Sequence, residues 1–164
     1  MSPSPKPSPE PTEPLYTSEN YSLEDSLGRL IADVSRRLQA AIDVELAGMG
    51  MDITAAQWGI LMRIANGCGS TAAQLCRFTH YDTGSMTRML DRLEEKDLIR
   101  RVRNAKDRRV MSLELTVAGR ALHPRLTPAA IKVLNAHLKG FTREELDLFK
   151  GFLNRMRANS GLPA

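Results

Sequence analysis

Cysteine, histidine and aromatic residues are scarce in this sequence of 164 residues, which has two Cys, three His and only 5% Phe, Trp and Tyr together. Cys68 and Cys76 cannot build the dense disulfide framework of a small secreted domain. His80, His123 and His137 are scattered, no Cys and His cluster has metal-ligand spacing, and no glycine-rich phosphate loop follows a strand. Catalysis, a metal and a cofactor are therefore not expected. The shortage of aromatic residues argues against a stacking platform for single-stranded nucleic acid. No apolar run approaches the roughly 20 residues of a membrane span. No charged segment followed by an apolar one opens the sequence, so the expected location is cytoplasmic, with no membrane partner.

What is present is an ordinary globular composition, 42% hydrophobic and 26% charged, with a net charge of +4. The charge is unevenly placed. Between Lys96 and Arg109 stand Lys96, Arg100, Arg101, Arg103, Lys106, Arg108 and Arg109 against only Asp97 and Asp107. This short stretch carries more net charge than the whole chain, which favours an anionic partner.

Residues 1–14 hold six of the nine prolines and almost nothing apolar, so residues 1–21 read as a disordered tail. From Leu23 the spacing of Leu27, Leu30, Ile31, Val34, Leu38, Ala41 and Ile42 predicts one helical stripe, ended by Gly48 and Gly50. Thr54 with Gln57 reads as a capping box for a second helix, and Thr71 with Gln74 repeats it for a short third one. After a turn through Thr79, His80 and Tyr81, Asp82 caps a helix whose inner face is Met86, Met89, Leu90 and Leu93. The period then changes to two. Leu98, Arg100 and Val102 on one side, then Val110, Leu113 and Leu115, predict two strands joined by a basic hairpin. A helix starting at Thr116 is expected to break or bend at Pro124 and Pro128 and to stop at Gly140. Thr142 with Glu145 opens the last helix, carrying Leu146, Phe149, Phe152, Leu153 and Met156.

The predicted fold is mainly α with a small β-wing: a winged helix-turn-helix over 51–116, flanked by a helical dimerisation region over 22–50 and 117–160. A short helix, a turn and an amphipathic second helix is the geometry that places the second helix in a major groove. The outward face of that helix offers Thr83, Ser85, Thr87 and Arg88, with Arg92 one turn beyond. Arg108 and Arg109 at the wing tip suit the negative potential of a minor groove, and Arg100, Arg101, Arg103 and Lys106 suit phosphates. Asp107 is assigned an orienting role, holding an Arg. Double-stranded DNA is the expected partner. A solvated helix face beside a solvated hairpin would have the same composition, and a protein-contact or architectural winged module is the alternative use.

The run Asp82-Thr83-Gly84-Ser85-Met86-Thr87-Arg88-Met89-Leu90-Asp91-Arg92-Leu93-Glu94 is followed by Lys96-Asp97-Leu98-Ile99. Asp107-Arg108-Arg109 then stands before Leu113, Leu115, Thr116 and Gly119. Together these resemble the MarR family over about residues 23 to 158. Asp97 stands where that family usually has Gly, and Pro124 and Pro128 fall in what is usually a long continuous helix. The resemblance implies a homodimeric transcriptional regulator, commonly a repressor, acting on a pseudo-palindromic operator. It also implies release by a small, often aromatic and anionic ligand held between the dimer layer and the winged module. The candidate lining is Arg29, Trp58, Met62, His80 and Tyr81, although Trp58 and Met62 suit a plain core better and His80 suits a satisfied turn residue better. Relatives that sense oxidants use a thiol near the start of the dimer layer. This sequence has none before Cys68, and Cys76 reads as a small core residue.

Overall fold

The computed structural model of the chain describes residues 13–79, 81–103 and 110–160, apart from the side chain of His123. The elements run α1 (Leu27–Gly48), α2 (Ala55–Ala65), α3 (Ala72–Phe78), α4 (Thr83–Glu95), β1 (Ile99–Arg103), β2 (Met111–Leu115), α5 (Val117–His137) and α6 (Arg143–Asn159). The chain forms two compact units that divide between Arg37 and Leu38, within α1.

In the first unit, residues 13–21 are not the featureless tail their composition suggests. Asn20 Oδ1 accepts from Thr17 N at 2.8 Å, and Tyr21 N donates to Thr17 O, closing a turn. The rings of Tyr16 and Tyr21 meet edge-on at 5.9 Å, and Tyr16 Oη accepts from Leu27 N at 3.1 Å. Local polar side chains and two aromatic rings thus supply what hydrophobic burial does not. Ser26 Oγ accepts from Arg29 N, so α1 starts at Leu27 rather than Leu23.

The second unit is built on one buried cluster. It unites Leu46 of α1, Ile60, Leu61 and Ile64 of α2, Leu75 of α3 and Met86, Leu90 and Leu93 of α4. Leu98, Ile99, Leu113 and Leu115 join it from the wing, and Leu126 and Ala129 from α5. This core crosses the expected boundaries at 50 and 117: the winged part is closed by residues from α1 and α5. Asp43 of α1 reinforces the join by accepting from Ala55 N at 2.5 Å.

The helix starts follow from their caps. Thr54 with Gln57 and Thr142 with Glu145 form reciprocal capping boxes. At α3 the pattern shifts by one residue: Thr71 Oγ1 accepts from Gln74 N, but Gln74 Oε1 accepts from Ser70 N and Ser70 Oγ. Contrary to expectation, Pro124 and Pro128 do not interrupt α5, which is one helix of 21 residues. Each proline removes one intrahelical hydrogen bond. Burial of Leu126, Ala129 and Val133 along the same stretch holds the helix in place, so packing outweighs the local preference.

Candidate nucleic-acid interface

The segment from α3 to α4 is closed by short-range polar contacts. Thr79 Oγ1 donates to Leu75 O, ending α3, and Asp82 begins α4 by accepting from Ser85 N at 2.9 Å and Ser85 Oγ at 2.7 Å. The backbone N–H of Ser85, and after it the Ser85 hydroxyl, hold the Asp82 carboxyl below its ordinary pKa. Met86, Leu90 and Leu93 bury the inner face of α4. Thr83, Thr87, Arg88 and Arg92 are exposed on the other side. Ser85 differs from them: its hydroxyl donates to Asp82 and accepts from Arg88 Nη2 at 3.3 Å, linking the cap to the arginine. Thr87 Oγ1 donates to Thr83 O at 2.8 Å, which fixes its rotamer and leaves its oxygen lone pairs outward.

The wing strands are antiparallel, pairing Ile99 with Leu115, Arg100 with Glu114, Arg101 with Leu113, Val102 with Ser112 and Arg103 with Met111. Their phase differs from the sequence reading. Leu98 is buried but precedes the strand, because Asp97 takes φ of +53° and redirects the chain. Asp tolerates this left-handed conformation better than most residues. The inward positions are consequently Ile99 and Arg101, opposite buried Leu115 and Leu113, and Arg100 lies on the outer face.

That phase decides what two of the expected phosphate contacts do. Arg100 is paired across the outer face with Glu114, its Nη2 2.7 Å from Oε2. Arg101 turns onto α4, where Nη2 lies 2.6 Å from Asp91 Oδ1 and Nη1 2.9 Å from Glu94 Oε2. Arg103 is exposed. Lys106, Asp107, Arg108 and Arg109, to which the sequence assigns the wing tip, lie outside the described residues.

The base of the wing is tied down on several sides. Lys96, following α4, donates to Asp52 O at 2.6 Å and pairs with its carboxylate. Thr116 Oγ1 donates to Asp97 O at 2.5 Å and accepts from Gly119 N at 3.0 Å. Leu113 N donates to Ser70 O at 2.8 Å, joining β2 to the start of α3.

The residues of the expected ligand lining fall in both units and, in part, outside the described residues. Arg29 belongs to the first unit, and His80 lies outside the described residues. Trp58 and Tyr81 pack half-buried against the core, and Met62 is half-buried. Tyr81 does line a cleft of about 470 Å³ together with Gln39, Gly59, Arg63, Phe78 and Thr79. Arg63 stands over the Phe78 ring, 5.8 Å from its centroid. Sequence reading missed Arg63 and Phe78. Their only advance signal was a cation in the last turn of α2 ahead of an aromatic residue ending α3.

Among the described residues, no helix is long and apolar enough to cross a membrane, and no cluster of His, Cys, Asp or Glu could hold a metal ion. A model of the MarR family matches residues 51–110, the α2-to-wing segment. The multiple antibiotic resistance protein MarR of Escherichia coli (strain K12) is 35% identical over 106 residues, 65% of this chain and 72% of that protein. The HTH-type transcriptional regulator SarZ of Staphylococcus aureus (strain USA300) is 31% identical over 108 residues, 66% of this chain and 72% of that protein. The crystal structure of a mutant E. coli MarR complexed with operator DNA superposes with a TM-score of 0.70 at 30% identity, covering 79% of this chain and 92% of that one. The helix order, the capped α4, the two-stranded wing and these likenesses agree: the chain belongs to the MarR family of winged helix-turn-helix proteins.

Proposed function

We propose that this protein is a sequence-specific regulator of transcription that binds double-stranded DNA as a homodimer and acts as a repressor released by a small aromatic acid. The observation that carries the reading is the outer face of α4. Thr83, Thr87, Arg88 and Arg92 are exposed there on a helix whose opposite face is locked into the core, and the most basic stretch of the sequence follows directly after it. Hydroxyl groups near the start of such a helix and cations further along suit base edges and phosphates respectively. The E. coli relative crystallised with operator DNA supports the same use of the fold.

The dimer is supported by apolar surface that one copy leaves uncovered. Leu27, Leu30, Ile31 and Val34 of α1 are 39%, 50%, 36% and 49% exposed. On α6, Leu148, Phe149, Phe152 and Met156 are 44% to 58% exposed at helical spacing. Stripes of this kind are what a second copy covers. A two-fold pair reading successive major grooves would place its α4 helices about 34 Å apart, on a pseudo-palindromic operator.

Release by a ligand requires that the ligand prefer a spacing of the two α4 helices that DNA does not accept. The cleft beside Tyr81 supports this part of the proposal. Its volume of about 470 Å³, its aromatic walls and the Arg63 guanidinium suit an aromatic carboxylate, and Thr79 and Tyr81 lie in the turn leading to α4.

The test is to select bound fragments from the organism's own genomic DNA and to compare the best fragment with random DNA at two salt concentrations. A specificity ratio of about a thousandfold or more is expected. A ratio near one would make the protein an architectural binder, and no binding would make it a protein-contact module. Titrating aromatic acids into the best complex then tests release.

A further inference from the structure

Arg101 occupies an inward position of β1, where the hydrophobic alternation of a half-buried strand calls for an apolar side chain. It stands on the inner face of β1, next but one to buried Ile99 and opposite buried Leu113. An arginine there needs partners, and α4 supplies two. Asp91 and Glu94 lie three residues apart on one flank of the helix and reach the two ends of the guanidinium at 2.6 and 2.9 Å. Glu94 does a second thing: its Oε1 accepts from Arg101 N at 3.2 Å.

That backbone contact follows from the ladder. Arg101 N and Leu113 N both find partners away from the sheet, in Glu94 Oε1 and Ser70 O respectively. In an antiparallel pair this is the pattern of opposed residues whose N–H groups point outward rather than at each other. Both outward groups are thereby used to fasten the wing, one strand to α4 and the other to the start of α3.

Asp91 also lies one helical turn from Thr87, on the outward side of α4. Two carboxylates there would oppose the approach of a polyanion if left uncompensated.

We propose that Arg101 is a positioning residue for DNA binding: its grip on Asp91 and Glu94 fixes the angle between the wing and the recognition helix, so that groove and flanking phosphates are engaged together. It acts through α4 and the wing, and is not itself a phosphate contact. This inference rests on the DNA-binding reading above.

The test sets this geometry against plain electrostatics. Replacing Asp91 and Glu94 together by Ala removes two negative charges and adds helix propensity, so charge alone predicts tighter binding to DNA. The clamp predicts the opposite, binding about tenfold weaker, with the salt dependence shallower by about one ion because wing contacts are lost. Arg101→Lys is the second variant. A lysine serves a phosphate as a point charge but cannot fork between two carboxylates, so it too is expected to bind about tenfold more weakly. Circular dichroism and sedimentation of both variants verify fold and assembly, and the salt slope is a readout that a change in stability alone would not move. Tighter binding by the Ala pair, or unaltered binding by Arg101→Lys, overturns the proposal. Failure of the unmodified protein to bind any DNA would instead overturn the functional reading on which it rests.

Discussion

Gly119 lies in the first turn of α5, where replacement by Ala would ordinarily stabilise a helix by about 1 kcal/mol. Here the opposite is expected. A Cβ built on Gly119 would sit 2.0 Å from Leu98 O and 3.0 Å from Leu98 C, both main-chain atoms that cannot rotate away. Ordinary carbon-to-oxygen contacts begin near 3.3 Å, so α5 and the wing base must separate by about 1.3 Å. Thr116 N, 3.2 Å from the same carbonyl, would lose its hydrogen bond, and Thr116 Oγ1 would be drawn away from Asp97 O. Overpacking costs about 1 to 3 kcal/mol and two hydrogen bonds about 1 kcal/mol each, against the gain in propensity, which leaves a net loss of about 2 kcal/mol or somewhat more. For a chain of this size that lowers Tm by about 4 to 8 °C. Thermal and urea unfolding at one fixed protein concentration measure it, since a dimer's midpoint depends on concentration. Gly59→Ala is the internal reference: it lies within α2, a Cβ there meets nothing within 4 Å, and it should gain up to about 1 kcal/mol. A Gly119→Ala variant as stable as the unmodified chain would refute the argument from close approach.

Thr87→Ala and Arg88→Ala should each reduce discrimination between the selected fragment and random DNA by about 1 to 3 kcal/mol per lost base contact. Competition binding measures this, and unchanged discrimination would move recognition away from α4. If the proposed dimer uses the α6 stripe, Phe152→Asp should give monomers while preserving the winged module, since Phe152 is 45% exposed; sedimentation equilibrium decides, and an intact dimer would exclude that stripe from the contact. The cap of α4 should be acid-sensitive. The Asp82 pKa is lowered in the folded chain, so its contribution is complete above the ordinary carboxylate range and is lost as pH falls through the depressed value. Amide exchange at Ser85 should accelerate only in that acid window, and an onset near neutral pH would assign the effect to another group.

The starts of α2 to α6 were legible in the sequence because their capping signals are local. A hydroxyl three residues before a carboxamide or carboxylate at Thr54 and Thr142 can satisfy two N–H groups with atoms only one turn apart. The strand phase was not legible in the same way. Period-two reading took Leu98 as the first inward residue, whereas the left-handed turn at Asp97 places Leu98 before the strand and aims Ile99 and Arg101 inward. An inward arginine looks outward in any hydrophobicity pattern. Only its neighbours in space, Asp91 and Glu94, show where it points. The prolines of α5 misled for a related reason: a local rule counted the lost hydrogen bonds but not the burial of Leu126 and Ala129 between and beyond them. The cleft shared by Gln39, Arg63, Phe78 and Tyr81 draws on three elements and has no single-segment signature.

The fastening of the wing constrains how any ligand could act. A hairpin held only by its two strands would pay an ordering cost on meeting DNA, and a ligand could regulate it by loosening it further. This wing is instead attached at its base by Lys96 to Asp52 and by Thr116 to Asp97, and along its strands by Leu113 to Ser70 and Arg101 to α4. Those attachments reach the α1–α2 link, α3, α4 and α5, so displacing one of them strains the others. A ligand seated against Arg63 and Tyr81 therefore has little freedom to deform the wing relative to α4. What it could change at lower cost is the placement of this whole unit, whose core includes Leu46, Leu126 and Ala129 of the flanking helices, relative to that of a second copy in the proposed dimer. On this argument the variable that separates the DNA-accepting from the DNA-refusing state is the distance between two nearly rigid modules. A distance measured between labels on the two α4 helices should shift on adding the ligand, while a distance between α4 and β2 within one copy should stay constant.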